Sequence, residues 1–385
     1  MPLNCAHRSD RGAEACVTEC PANAPVGPFR YARVGRGDRP PAADDRTIDI
    51  ALLDMHHGWP NLGHDALLHM VQTAVCDVRG NLAKAGLSLR VISYDIRRGS
   101  ALPASPGGRH AIYIGTGGPG HLDPARNDGG EGSQGIVEDP AWEGPLFKLF
   151  DAIREDPRAS LFAVCHTFGV MCRWLGVADE VLRGPDKGGK STGVIDNALT
   201  AEGRRHPWFA RFAATLPDGD RFPVLDNRLF DLIPHGPITN GVSAIAMECT
   251  KDGVPGDALT MIEVARAEGG VMPRVLGVNH HPEIGDRHRQ MLVLKKKQAR
   301  EDVDPTWFAE RLAALTQPNE HDAGDQRLHL TSGYTLMAPL RFMIHREIRR
   351  RGEDLSLATG MDEQVWPLLP GLRGDAGAPS CAPPA

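Results

Sequence analysis

The sequence predicts an α/β protein: a mainly parallel sheet covered by helices on both faces, with a helical C-terminal extension. Three observations predict it. First, residues 47–54, 89–95, 111–115, 161–165 and 275–279 are short and almost wholly apolar, as strands covered on both faces must be. Second, helix-periodic segments lie between the first and second of these runs and between the third and fourth, the alternation that builds parallel strands joined by covering helices. Third, beyond residue 286 the pattern turns helical and charged, with no further buried run.

Taken in order, the ordered chain is expected to begin at Thr47, with a strand from Ile48 to Asp54. Residues 62–85 have helical periodicity, with Leu67, Met70, Val71, Ala74, Val75 and Val78 on the inner face and Gly86 at the end. Residues 89–95 and 111–115 are the next strands, and the second opens into a glycine-rich turn. A helix over 142–154 precedes the strand that ends at Cys165, and a second helix over 168–175 follows it. Between 185 and 270 there are shorter strand-like pieces at 222–225, 244–248 and 259–265. Three charged helices follow at 287–301, 305–315 and 333–351. In the last, Leu336, Leu340, Met343, Ile344 and Ile348 are spaced to pack on the main domain or on a partner. The basic segments 295–297 and 349–351 read as solvated helix faces. The expected organisation is an N-terminal extension (1–46), a main domain (47–295), a helical extension (296–365) and a tail (366–385).

Composition excludes several classes. A formal charge of -6 gives no electrostatic case for a nucleic-acid partner. No apolar stretch approaches the roughly 20 residues that span a bilayer, and the N-terminus lacks the apolar core of a secretory signal. Eight cysteines without a framework spacing suggest reduced thiols and a cytoplasmic protein. Cys5, His7, Cys16 and Cys20 match no strong zinc spacing, and His56, His57, His64 and His69 lack a completing thiol or carboxylate. No metal and no cofactor are therefore expected.

The chemistry is expected at three strand ends. Cys165 sits where a buried strand runs straight into a helix, a turn that pushes a nucleophile out at the top of a sheet. The 275–279 strand delivers His281 and Glu283. A thiol needs a base, and the base needs an orienting acceptor; these residues supply the three roles in chain order. Thr116-Gly117-Gly118-Pro119-Gly120 ends the third strand, either as an ordinary turn or as a source of N–H groups for a developing oxyanion. It is no phosphate loop, because no Lys-Ser or Lys-Thr pair follows in place. His166 either raises the thiolate fraction when protonated or contributes only its backbone.

Together the segments Gly117-Gly118-Pro119-Gly120, Ala163-Val164-Cys165 and Gly277-Val278-Asn279-His280-His281-Pro282-Glu283 resemble the class I glutamine amidotransferases over residues 47–295. The resemblance is to a free-standing branch of that family. It implies a flavodoxin-like parallel sheet and a Cys165–His281–Glu283 triad that removes ammonia from a side-chain amide through a thioester. It implies an oxyanion hole from the backbone of Gly118 and His166, and substrate contacts from Gly117, Pro119, Gly120, Thr167 and His280. Lys190 to Gly193 fall where the family forms one wall of the site. The departures are specific. The family elbow reads Gly-x-Cys-x-Gly-His-Gln, and here Ala163, Thr167, Phe168 and Gly169 replace the two glycines, the histidine and the substrate-holding glutamine. The expected substrate is a small amide, glutamine or a γ-glutamyl compound, with a separate ammonia-accepting enzyme as a partner. The alternatives are a catalytically weak homologue that binds a metabolite or a partner protein, and acyl transfer to a hydroxyl.

Overall fold

The structure, a computed structural model, describes residues 29–58, 62–130, 132–184, 189–238, 241–250, 255–285, 287–300, 304–316 and 323–354. The four N-terminal candidates Cys5, His7, Cys16 and Cys20 and the tail from 366 lie outside the described residues.

Among the described residues the main sheet has ten strands. Numbered along the chain, its parallel half runs β1 (Phe29–Val34), β3 (Ser88–Asp95), β2 (Thr47–Asp54), β4 (His110–Gly115), β5 (Ser160–Val164) and β12 (Pro273–Val278). Past β12 it continues antiparallel through β11 (Pro255–Arg266), β10 (Ser243–Cys249), β7 (Ser191–Leu199) and β8 (Arg221–Arg228). A separate pair, β6 (Ala178–Leu182) and β9 (Phe230–Pro234), is also antiparallel. The expected mainly parallel α/β sheet is thus present, with an antiparallel wing built from the middle of the chain.

Side-chain alternation divides the core into two layers. On β2, Ile48, Ile50 and Leu52 join the buried face of helix α1 (Leu62–Lys84). Ala51 and Leu53 point the other way, into a layer formed with α2 (Glu143–Glu155) and α3 (His166–Leu175). The short helices α4 (Ala201–Arg205) and α5 (Phe209–Ala213) follow β7, and Phe209 and Phe212 enter the α1 layer. Both faces are therefore covered, which explains why the central strands read as unbroken apolar runs.

The C-terminal helices are α6 (Arg287–Arg300), α7 (Pro305–Thr316), α8 (Ala323–Ser332) and α9 (Ala338–Asp354), with a π-helical turn at Gly333–Met337 before α9. Leu336, Leu340, Met343, Ile344 and Ile348 are all buried in the α1 layer, so α9 packs on the main sheet. Arg351 is no solvated charge. It donates to Thr47 O at 2.7 Å and pairs with Glu347, tying α9 to the start of β2.

Five elements depart from expectation. The extension to residue 46 was expected to lack regular structure, yet Phe29–Val34 is an edge strand paired with β3. Its side chains are mostly exposed, so backbone hydrogen bonding holds it and no apolar run announces it. Strands β6 and β7 escape because polar residues interrupt them, Asp179 and Glu180 in β6 and Asp196 and Asn197 in β7, while β9 is a short buried piece broken by Asp231. Helix α8 has too few apolar residues to show a period, though Leu328 is buried.

Gly277 fixes how closely β12 approaches α3. A Cβ there would lie 2.6 Å from Phe168 Cδ2 and nearer still to Met171 Cε. Gly277→Ala is therefore expected to destabilise the protein by about 1–3 kcal/mol through overpacking, read by urea unfolding. An unchanged midpoint would mean that this contact gives way freely.

Candidate active site

The site lies where β5 and β12 end. Val164 pairs with Val278, and Cys165 N–H donates to Val278 O at 2.8 Å, one step beyond the ladder. There the chain turns sharply. Cys165 has φ 49° and ψ -104°, a region that L-residues rarely occupy, and α3 begins at the next residue. The strained turn keeps the thiol at the sheet edge, lining a cavity of about 330 Å³ with His281, although the residue is largely buried.

His281 is held from two sides. Its N–H donates to Leu225 O at 2.8 Å, and its Nδ1 lies 2.8 Å from Glu283 Oε1. Glu283 is buried, and its second oxygen has no hydrogen-bond partner among the described residues. The following turn is braced by Ser332, whose hydroxyl donates to Pro282 O. Burial opposes a charge on His281, but the Glu283 carboxylate and the Cys165 sulfur outweigh it and hold its pKa well above the ordinary value. Nε2 has no hydrogen-bond partner of ordinary geometry among the described residues, yet the Cys165 sulfur is close enough to favour the charged ring.

The glycine turn closes against this pair. A Cβ on Gly117 would sit 3.1 Å from His281 Cε1 and 3.4 Å from Cys165 Cβ. On Gly118 it would meet Met55 O at 2.2 Å, so only glycine lets the turn lie against the end of β2. Gly120 alone in this turn uses a positive φ, 82°. The turn is anchored by Arg97, which donates to Met55 O and Pro119 O while paired with Glu138 at 2.6 Å, both side chains fully buried.

Gly118, Pro119, Gly120 and His166 line the cavity with Cys165 and His281, while Gly117 lies behind the pair. Two expected substrate contacts do not belong to it. The Thr167 hydroxyl donates to Thr116 O at 2.7 Å, and its side chain packs where a Cβ on Gly115 would be, so it fastens α3 to β4. His280 points the opposite way along the chain from His281. Its Nε2 lies 3.4 Å from Thr335 Oγ1, under the π-helical turn, and burial pulls its pKa down to about 3. His166 does not act as a cation either, because burial, Arg97 and His56 keep its pKa well below the ordinary value.

Several lining residues carry no sequence motif. Gly169 lines the cavity, and Leu122 fills the space a side chain there would need, with Cδ1 2.4 Å from the Cβ position. His56 bonds Thr116 Oγ1 through Nδ1 at 3.0 Å. Lys190 and, from α7, Trp307 and Arg311 close the outer side. The last two had a legible signal: residues 307, 311 and 315 follow a four-residue spacing and share one helix face.

No family model and no curated protein matches this chain. Solved glutamine amidotransferases are similar to it. One from Thermotoga maritima is 14% identical, with a TM-score of 0.43 over 78% of this chain and 98% of that one. One from Methylobacillus flagellatus is 12% identical, with a TM-score of 0.43 over 77% of this chain and 94% of that one.

The raised pKa of His281 has a testable sign. A histidine whose folded value exceeds its unfolded value of about 6.5 stabilises the fold fully below that value, and the contribution is lost as pH rises through the folded value. Glu283→Gln removes the carboxylate responsible. The stability deficit of this variant should be largest at about pH 6 and shrink on the alkaline side, measured by urea unfolding across pH. A deficit independent of pH would show that Glu283 does not set the charge of the ring.

Proposed function

We propose that the protein is a thiol amidohydrolase of the class I amidotransferase type, acting on a glutamine or γ-glutamyl side-chain amide. The observation that carries this reading is the strained Cys165 turn beside a histidine locked by Glu283 at 2.8 Å. A backbone strained at one cysteine, at a sheet edge and over a cavity, is hard to explain by packing alone.

In the proposed reaction His281 takes the thiol proton and the Cys165 sulfur attacks the amide carbon. The carbonyl oxygen becomes an oxyanion, stabilised by the N–H groups of Gly118 and His166. His281 returns the proton to the departing nitrogen as the C–N bond breaks, leaving a thioester. Water loses a proton to the same ring, attacks the thioester and releases the carboxylic acid, and the thiol is restored. Glu283 fixes the ring tautomer and balances the imidazolium formed in each half. The ammonia or amine leaves to solvent or to a separate acceptor enzyme.

One observation favours a second reading, a catalytically weak homologue that binds a metabolite or a partner. Leu122 occupies the space over Gly169, the position where the family resemblance puts a substrate-holding glutamine.

An electrophilic glutamine analogue separates the two. Labelling is expected on Cys165, mapped by peptide mass spectrometry, and absent in Cys165→Ala. Ammonia release from a γ-glutamyl amide should vanish in Cys165→Ala and fall by about a hundredfold or more in kcat for His281→Ala. Ammonia release that survives Cys165→Ala would sink the enzymatic reading, and tight metabolite binding without turnover would favour the second.

A further inference from the structure

The cavity that opens on Cys165 has a cationic side that the proposed chemistry does not use. We propose that Lys190 and Arg311 form an anion subsite, so that the substrate is an amide that also carries a carboxylate. The inference rests on the thiol amidohydrolase reading and adds the recognition of substrate charge to it.

Both side chains line the cavity together with Cys165 and His281. They come from different segments, Lys190 from the approach to β7 and Arg311 from α7. Arg311 is held in place by stacking: its guanidinium carbon lies 5.6 Å from the centre of the Trp307 ring, which lines the same cavity. Its Nη1 is buried and has no hydrogen-bond partner among the described residues. Among the described residues Glu310 pairs with both cations, 3.5 Å from Lys190 Nζ and 3.7 Å from Arg311 Nη1, and that carboxylate is half exposed. One carboxylate thus faces two cations. A third cation on the wall, Arg228, is already matched by Asp226, Asp231 and Glu248. Asp304, also on the wall, accepts from Trp307 N at 2.8 Å and so serves as a cap for α7. The sulfur of Cys165 is close enough to favour the charged forms of both Lys190 and Arg311, although burial dominates and lowers both.

The competing role for the two cations is to serve the thiolate alone, and the experiment separates the two. Cys165 alkylation is timed with anionic iodoacetate and with neutral iodoacetamide, in the parent chain and in Lys190→Gln, Arg311→Gln and the double variant. Peptide mass spectrometry follows Cys165 apart from the other cysteines, and thermal unfolding checks each fold. Lys190 lies outside the helices, so its variant keeps the test open if Arg311→Gln fails to fold. An anion subsite predicts that the iodoacetate-to-iodoacetamide rate ratio falls about tenfold in the double variant and partly in each single one. Equal slowing with both reagents, leaving the ratio unchanged, would overturn the subsite in favour of thiolate stabilisation. If Cys165 is inert even to iodoacetamide, the thiol reading fails, and calorimetry on Cys165→Ala decides the subsite separately. Glutarate should then bind the Cys165→Ala chain and weaken about tenfold with Arg311→Gln added, while neutral glutaramide should not respond. No glutarate binding, or binding of inorganic phosphate in its place, would overturn the carboxylate assignment.

Discussion

Everything at the site depends on the parallel pairing of β5 with β12. Neighbouring strands in a sheet lie about 4.8 Å apart, and parallel strands end on the same side. The register Val164 to Val278 therefore brings the residues after both strands to one edge. The bond from Cys165 N–H to Val278 O carries the pairing one residue further, and then the two chains part. One enters α3 through a strained residue. The other bends back through His281, whose N–H is caught by Leu225 O in the middle of β8. A strain of about 1–3 kcal/mol at such a residue persists only where its surroundings over-determine it. Here the surroundings are the strand pairing on one side and the buried helix α3 on the other.

A second layer of constraint is ionic. Arg97 and Glu138 are fully buried and joined, and the same guanidinium holds two backbone carbonyls, one at the end of β2 and one in the glycine turn. Burying such a pair gains little stability, because desolvation offsets the attraction. What it provides is position: a planar fork with its donors spent in fixed directions. The Gly117–Gly118 segment is thereby held against Cys165 and His281, and its glycines allow the approach that any side chain would block.

The C-terminal helices complete the site. Ser332 at the end of α8 fastens the turn that carries Glu283, and α7 closes the cavity with Trp307 and Arg311. A small apolar cluster links them to the main domain, with Leu62 from α1, Leu225 from β8, Ile284 beside the triad, and Leu294, Trp307 and Leu315. The outer lining of the cavity can therefore vary with these helices while Cys165, His281 and Glu283 stay in place.

The sequence by itself determined the parallel core and pointed to Cys165, His281 and Glu283, which the structure brings to one sheet edge. Strands buried on both faces must be apolar throughout, and a nucleophile at a strand-to-helix turn leaves a local signature. It determined α9 as well, because a buried helix face repeats every three to four residues. Only the tertiary structure decided the rest. The edge strand β1, the wing strand β7 and the separate strand β6 carry polar side chains, and β9 is a short buried piece broken by Asp231; their pairing rests on backbone hydrogen bonds, which any residue except proline can donate. Thr167 and His280 neighbour site residues in the chain yet face elsewhere, because adjacent side chains on a helix or an extended segment point in different directions. Lys190 and Arg311 stand on one wall although 120 positions separate Lys190 from Arg311's neighbour Glu310, and no local pattern records a meeting across that distance.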